Sequence, residues 1–443
     1  MDMARKPYSS WLAAILALSL ILAGCQRSET GKEAAQREKV ASPSAASSGI
    51  GGEITFISNR PDLVENGFYN RYVDQFKKKY PAVTDVHVTS LNDYATDIRV
   101  KILSNHYGDV LILPLDMDKS NLGDYFEPLD DLGLGENLYF NDNNAYEGKT
   151  YGITIGVSAV GIIYNKKAFK TAGITSVPTN REQFYAACEK LKQAGITPVH
   201  LSFSSGWTLT NWGGSMSPIL TGDESRLQYM TGTDRPFRED AEIGKAYGVI
   251  RTIVQKGYAE SDLFGDTWEQ SKSEIAKGNE AMYYLGNWAI AQVLEKTDTG
   301  VKSEDIGFMP LPVSETGTPN AYLNPDYSLG VNKNSPNKAA AKAWIKFLIE
   351  ESDMADQLGY IPTLKTRESS IPQIKEFLSY HPKMLSAVKT DELFSRISSA
   401  AEIQLDDSSL IREIALSSDI EAEYAKLNDK WQKARREVIG KDR

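Results

Sequence analysis

Residues Gly148 to Gly173, GKTYGITIGVSAVGIIYNKKAFKTAG, carry two apolar, β-branched runs with almost no polar turn between them. Tyr151 to Val157 and Val160 to Tyr164 each read as a buried strand, and Gly156 and Gly161 lie close to the join. A lysine-studded helical segment follows from Asn165 to Thr171, closed by Gly173. Two buried strands that run into one another describe a chain crossing between two globular units. Glycines allow such a crossing to bend, so residues Gly156 to Gly161 are the expected bending segment.

Before this crossing the pattern alternates. Glu53 to Ser58 predicts a strand, and Phe68, Tyr72, Phe76 and Tyr80 predict a helix stopped by Pro81. Val83 to Thr89 is a second strand, Leu91, Ile98, Ile102 and Leu103 mark a second helix, and Asp109 to Leu113 is a third strand. This β-α-β-α-β order implies a mainly parallel sheet flanked by helices, with ligands beyond the carboxyl ends of the strands.

After the crossing, Thr179 to Glu182 has capping-box spacing ahead of a helix bearing Phe184, Cys188 and Leu191. Thr197 to Leu201, Ala281 to Leu285, Ile306 to Leu311 and Tyr327 to Val331 read as strands, with Asn324-Pro325-Asp326 as a loop. Helices are expected at Ala241 to Gln255, at Thr267 to Lys277, around Ala340 to Leu348, and from about Asp391 onward.

The chain has 443 residues, 41% hydrophobic and 24% charged, which is globular composition with length for two domains or more. A net charge of −10 without a basic stripe argues against a nucleic-acid partner. Arg5 and Lys6 precede an apolar run, Trp11 to Leu22, of signal-peptide length and too short to span a bilayer. It ends in Leu22-Ala23-Gly24-Cys25, which resembles the bacterial lipobox, in which the cysteine is lipidated and becomes the first mature residue. Residues 1–24 are therefore expected to be a lipoprotein signal peptide. Residues 25–52 are expected to be the lipidated Cys25 and a flexible tether, which places the folded part outside the cytoplasm, anchored to a bacterial cell membrane. The one other cysteine, Cys188, falls on the apolar side of its helix and reads as core.

Later stretches carry a resemblance. Gly148-Lys149-Thr150-Tyr151-Gly152-Ile153, Tyr164-Asn165-Lys166 and Phe169 to Ile174 are followed by Pro178-Thr179 before an amphipathic helix. Ala276 to Met282 leads to Gly286-Asn287-Trp288. Then come Pro310-Leu311-Pro312, Gly330 to Lys338 and Gly359-Tyr360-Ile361-Pro362. In this order the motifs resemble the extracellular solute-binding proteins, family 1, the sugar-binding components of ABC importers. The resemblance covers nearly all of Glu53 to Arg443. It implies a two-lobed periplasmic-binding-protein-like α/β fold, hinged by several crossovers. By that pattern the N-terminal lobe holds residues 53–157 and about 328–374, and the C-terminal lobe holds about 160–327 and 375–443. It also implies a diacylglyceryl anchor at Cys25, no catalysis, and a monomer that delivers a carbohydrate, an oligosaccharide in particular, to an importer's membrane subunits.

A sugar site needs planar aromatics for C–H faces and polar side chains for hydroxyl rims. Trp288 matches the family's stacking tryptophan, and Asp116, with Met117 beside it, stands where the family commonly places a ligand-binding acid. Trp207 and Trp212 share a glycine- and serine-rich loop at a strand end, where one is expected to face ligand and one to be core. Asn59 and Arg60 follow the first strand. Asp93, Tyr94, Asn287, Asp326 and Tyr327 are further candidates whose alternative is helix-end or turn chemistry. Thr154 and Ser158 would line the floor of a cleft, Ser158 standing where some members carry a carboxylate.

Asp116 to Glu127 places carboxylates at positions 1, 3, 9 and 12 of a calcium-loop register, but Asn121 replaces the turn glycine and Lys119 intrudes. The four histidines form no zinc pair, so neither a metal nor a cofactor is expected. Two other functions fit the same sequence. One is a lipid-anchored carbohydrate-active enzyme, which needs a carboxylate pair across one cleft. The other is a ligand-sensing partner of a membrane signalling protein.

Overall fold

The computed structural model describes residues 49–441 apart from residue 92; the expected signal peptide, Cys25 and most of the expected tether lie outside the described residues. In chain order the strands are β1 (Gly52–Ser58), β2 (Val83–Ser90), β3 (Val110–Ile112), β4 (Ala145–Tyr146), β5 (Lys149–Thr150), β6 (Ile153–Thr154), β7 (Gly156–Asn165), β8 (Thr197–His200), β9 (Glu280–Gly286), β10 (Ile306–Met309), β11 (Asn320–Pro325), β12 (Ser328–Val331), β13 (Ile361–Pro362) and β14 (Lys383–Leu385). β4 and β5 form a small antiparallel ribbon.

The first sheet has the order β2-β1-β3-β12-β6. β1 pairs parallel with β2 and β3, and β12 lies antiparallel to β3 and β6. β1 and β3 are covered on both faces and read as near-continuous apolar runs, whereas the edge strand β2 is mostly polar. Ile54 and Phe56 pack on one side with the helices Asn70–Lys79 and Lys338–Glu350, where Phe76 meets Trp344 edge-on at 5.1 Å. Ile57 and Leu111 pack on the other side with Ile98 and Ile102 of the helix Tyr94–Leu103. The helix Asn70–Lys79 is shorter than its aromatic spacing predicts, since Phe68 and Tyr80 flank it. It does stop ahead of Pro81, whose ring disfavours helical geometry in the residue before it.

The second sheet has the order β14-β11-β7-β9-β8, with β10 and β13 also on β7. β7 is its spine. Val157, Ala159 and Ile163 point into one core, with Phe308 and Phe377; Val160, Ile162 and Tyr164 point into the other, with Phe184 and Cys188. The helix Arg181–Gln193 is capped one residue later than its capping-box spacing indicates: Asn180 accepts from Gln183 N, while the Gln183 side chain accepts from Thr179 N.

Three expectations are corrected. The two apolar runs of the crossing are divided at Ile155, between β6 and β7, and not between Gly156 and Gly161, which lie inside one continuous strand. These glycines serve close approach: a Cβ on Gly156 would sit 2.6 Å from Tyr360 Cβ, and one on Gly161 would sit 2.7 Å from the Met309 carbonyl oxygen. The second correction concerns Asn324 and Pro325, taken from sequence as part of a loop, which end β11 as it runs antiparallel to β7 from Leu323↔Ala159 to Pro325↔Val157. Finally, Ile361, Ile374 and Phe377 pack in the second sheet's core, so the return to that lobe falls near Gly359 and Tyr360, ahead of residue 374.

Crowding against a backbone oxygen cannot be relieved by a rotamer change. Gly161→Ala is expected to lower the urea midpoint, with a loss of about 1–3 kcal/mol typical of overpacking. An unchanged or higher midpoint would return this glycine to a bending role.

Candidate functional site

The first lobe offers two hollows on either side of Pro114-Leu115, beyond the carboxyl end of β3. One, of about 370 Å³, is lined by Asn59, Tyr94, Asp116 and Tyr327, with Arg99 and Leu115. The other, of about 270 Å³, is lined by Met117, Asp326 and Ser328, with Lys119, Asn143 and Asn144. Six residues expected at the site are thus gathered at the strand ends. The Tyr94 hydroxyl donates to the Ile112 carbonyl at 2.6 Å, which fixes its ring against the strand end. Asp116 is engaged by Arg99. Leu115 is 79% exposed, an apolar ridge between the two hollows.

The second lobe contributes aromatic rings. Trp207, Trp268 and Trp288 form a cluster with ring centroids 4.8 Å (207–268), 6.1 Å (207–288) and 6.2 Å (268–288) apart. Trp288 is half-buried and Trp207 is 48% exposed. The loop before Trp207 is pinned by Arg412, which donates to the Phe203 and Ser204 carbonyls at 3.0 and 2.7 Å. The Trp288 indole folds back over Gly286, where any side chain would collide with its Nε1. Trp268 begins the helix Trp268–Lys277, with Lys272 Nζ 4.5 Å from its ring centroid. Sequence reasoning missed Trp268 because it reads as part of an amphipathic helix; its place directly after a loop, at a helix start, was the available signal.

The hinge joins the two walls. Asp326 and Tyr327 link β11 to β12, beside Ile155. Asn287 is almost fully buried: its Oδ1 accepts from Ala159 N at 2.6 Å and its Nδ2 donates to the Gly359 carbonyl. Thr154 is buried too, 3.2 Å from Ser328 Oγ, which also accepts from Asn144 Nδ2 at 2.8 Å. Both side chains hold the crossings together and present no free rim. Ser158 is half-buried on β7, opposite Asn324. Arg60 grips Asp62 through two bonds of 2.8 and 2.6 Å, and Asp93 caps its helix, accepting from Thr96 N at 3.3 Å.

Trp212 is the tryptophan of the pair that belongs to the core. It is 1% exposed and meets Tyr284 edge-on at 5.0 Å, because it follows a helical turn that rotates it onto the sheet. The acids of the calcium-loop register are dispersed. Asp118 accepts from Ser120 N at 2.8 Å and Glu127 pairs with Lys338 at 2.9 Å; among the described residues no group of three acids, histidines or cysteines is placed to hold a metal. A larger hollow, about 620 Å³, lies among the C-terminal helices, lined by Ser398, Glu402, Asp407 and Glu413 and without an aromatic ring.

This is the arrangement of a two-lobed binding protein: paired α/β sheets, crossings side by side, hollows at the strand ends of one lobe and indoles on the other. Residues 60–355 match the family of bacterial extracellular solute-binding proteins, and the chain belongs to it. A curated relative, the multiple sugar-binding protein of Streptococcus mutans, is 22% identical over 74% of this chain and 75% of its own length. Among solved structures, a manno-oligosaccharide-specific solute-binding protein of Bifidobacterium animalis in complex with mannotriose is 26% identical, with a TM-score of 0.64 over 88% of this chain and 95% of its own. An apo solute-binding protein of Streptococcus pneumoniae, 16% identical, shares the fold with a TM-score of 0.68 over 87% of this chain and 98% of its own.

Burial pushes the Asp326 carboxyl up to about 6 from an ordinary 3.8, against the opposing pull of Arg60 and the Tyr360 hydroxyl. The folded chain then binds a proton that the unfolded chain has released, so this group's contribution to stability falls as pH rises from about 4 to 6. Asp326→Asn removes that slope. Its melting temperature relative to the parent should increase across the window, whereas a constant difference would contradict the assignment. Denaturation should also separate the two loop tryptophans: Trp212→Ala is expected to cost about 3–5 kcal/mol and Trp207→Ala far less.

Proposed function

We propose that the protein is a lipid-anchored extracytoplasmic receptor that binds an oligosaccharide between its lobes and delivers it to the membrane subunits of an ABC importer. The observation that carries this reading is the tryptophan cluster. Three indoles at one end of the second sheet suit the flat C–H faces of linked sugar rings, and the hollows of Asn59, Asp116 and Asp326 suit their hydroxyl rims. Family membership and the likeness to a manno-oligosaccharide-binding protein support it. The lipobox-like Leu22-Ala23-Gly24-Cys25 supports the anchor. No helix among the described residues is long and apolar enough to cross a membrane.

Ligand that touches both walls favours the closed arrangement only by its extra contacts there, so each wall should matter. A thermal-shift screen of manno-, malto-, xylo- and chito-oligosaccharides should find a stabilising sugar, with about 2.7 kcal/mol expected at a hundredfold excess over Kd. Trp288→Ala should then weaken calorimetric binding more than about tenfold while the protein stays folded, as loss of a central aromatic anchor does. A panel with no stabilising member, or full affinity in the folded variant, would overturn the reading.

A further inference from the structure

Behind the tryptophan cluster lies a buried polar chain that a simple lobe core does not need. β8 and β9 pair in parallel and set His200 opposite Tyr283, rings 5.0 Å apart. His200 Nδ1 lies 2.9 Å from Glu280 Oε2, and its Nε2 lies 3.0 Å from Ser202 Oγ. Ser202 Oγ is in turn 2.6 Å from the Tyr283 hydroxyl. His200 and Ser202 are almost wholly buried, and Ser202 holds a left-handed backbone, φ 49°, that side chains other than glycine disfavour.

Serine, histidine and glutamate in this order would suit a nucleophile, its base and an orienting acid. Two facts remove that use. Ser202 is inaccessible, and the amides on either side of it are spent: Leu201 N and Phe203 N each donate to Glu260 at 2.8 Å, leaving neither for an oxyanion.

What the chain does touch is the tryptophan wall. Thr208, next to Trp207, donates to the Ser202 carbonyl at 3.0 Å. Thr267, next to Trp268, lies 3.3 Å from His200 Nε2. The Tyr283 ring meets Trp268 at 6.1 Å and 69°, and β9 continues from Tyr283 towards Trp288. Ser202 Oγ thus bridges His200 Nε2 and the Tyr283 hydroxyl, with the Glu280 carboxylate beside the far nitrogen of the ring. A buried hydrogen-bonded bridge specifies its geometry more narrowly than an apolar core of the same volume, which tolerates several.

We propose that Glu280, His200, Ser202 and Tyr283 form a positioning network that fixes the tilt of Trp207, Trp268 and Trp288, and that they set oligosaccharide affinity through those rings without touching ligand. This rests on the receptor reading above for the ligand, while the ring geometry is tested independently of it. Tyr283→Phe keeps the ring and removes the hydroxyl. Ser202→Gly removes the hydroxyl and relieves the left-handed backbone, which offsets part of the cost of the lost hydrogen bonds. Cys188→Ala, in the opposite core of the same lobe, is the control for general loosening.

Near-ultraviolet circular dichroism of the ligand-free proteins and calorimetry with the best-binding oligosaccharide are the readouts. The network variants should alter the tryptophan bands and weaken binding about three- to tenfold, the range of a lost hydrogen bond, while the control stays near the parent in both. Parent-like bands or parent-like affinity in the folded network variants, or the same changes in the control, would overturn the proposal. If the parent binds no oligosaccharide the receptor reading fails, and the dichroism alone still decides the positioning role.

Discussion

The structure depends on where the backbone hydrogen bonds go as the chain leaves one sheet for the other. Ile155 N donates to the Tyr327 carbonyl at 2.9 Å, and Asp326 N donates to the Gly156 carbonyl at 3.0 Å. On one side of this pair Thr154 is matched with Ser328, on the other Val157 with Pro325. The two crossings are therefore one antiparallel ribbon shared by both sheets. A polar backbone buried between lobes must be paired, and this ribbon pairs with itself. It can twist without breaking bonds, which is what a hinge between rigid lobes requires. A third crossing, through Gly359 and Tyr360, is tied to the second lobe by Asn287 and packed over Gly156.

This constraint also distributes the chemistry. The first sheet ends in carboxylates, amides and tyrosines around an exposed leucine, and the second in indoles. Neither set encloses a sugar by itself. In the proposed receptor, closure at the ribbon would bring the two sets together, coupling binding to domain motion in one equilibrium. Asp326 sits in the ribbon and lines a hollow as well, so its raised carboxyl belongs to both the crossing and the hollow.

Much of this was legible in the residues. The alternation before Pro114 gives the first sheet, and the apolar run after Tyr151 gives the crossing, because strands buried on both faces leave a continuous hydrophobic record. That Asn59, Asp116 and Asp326 gather at hollows beyond the strand ends was legible from their position after strands. β11 was hidden by Asn324-Pro325-Asp326, a turn by composition; proline is tolerated there because it is the last residue of its strand. Burial of Trp212 and exposure of Trp207 depend on how a short helical turn meets the sheet, which spacing along the chain does not encode. Thr154 and Asn287 carry the same groups as ligand-binding residues, and only their tertiary partners reveal them as hinge fasteners.

Closure about the ribbon is the central claim, and an inter-lobe distance tests it most directly. Leu103 on the first lobe and Phe264 on the second are exposed, and Cys188 is buried, so spin labels on Leu103→Cys and Phe264→Cys report on the lobes alone. With an oligosaccharide that calorimetry shows to bind, pulsed electron-spin resonance should show one distance distribution replaced by another, with Trp288→Ala requiring more sugar for the same change. A distribution that stays fixed while sugar binds would contradict the account.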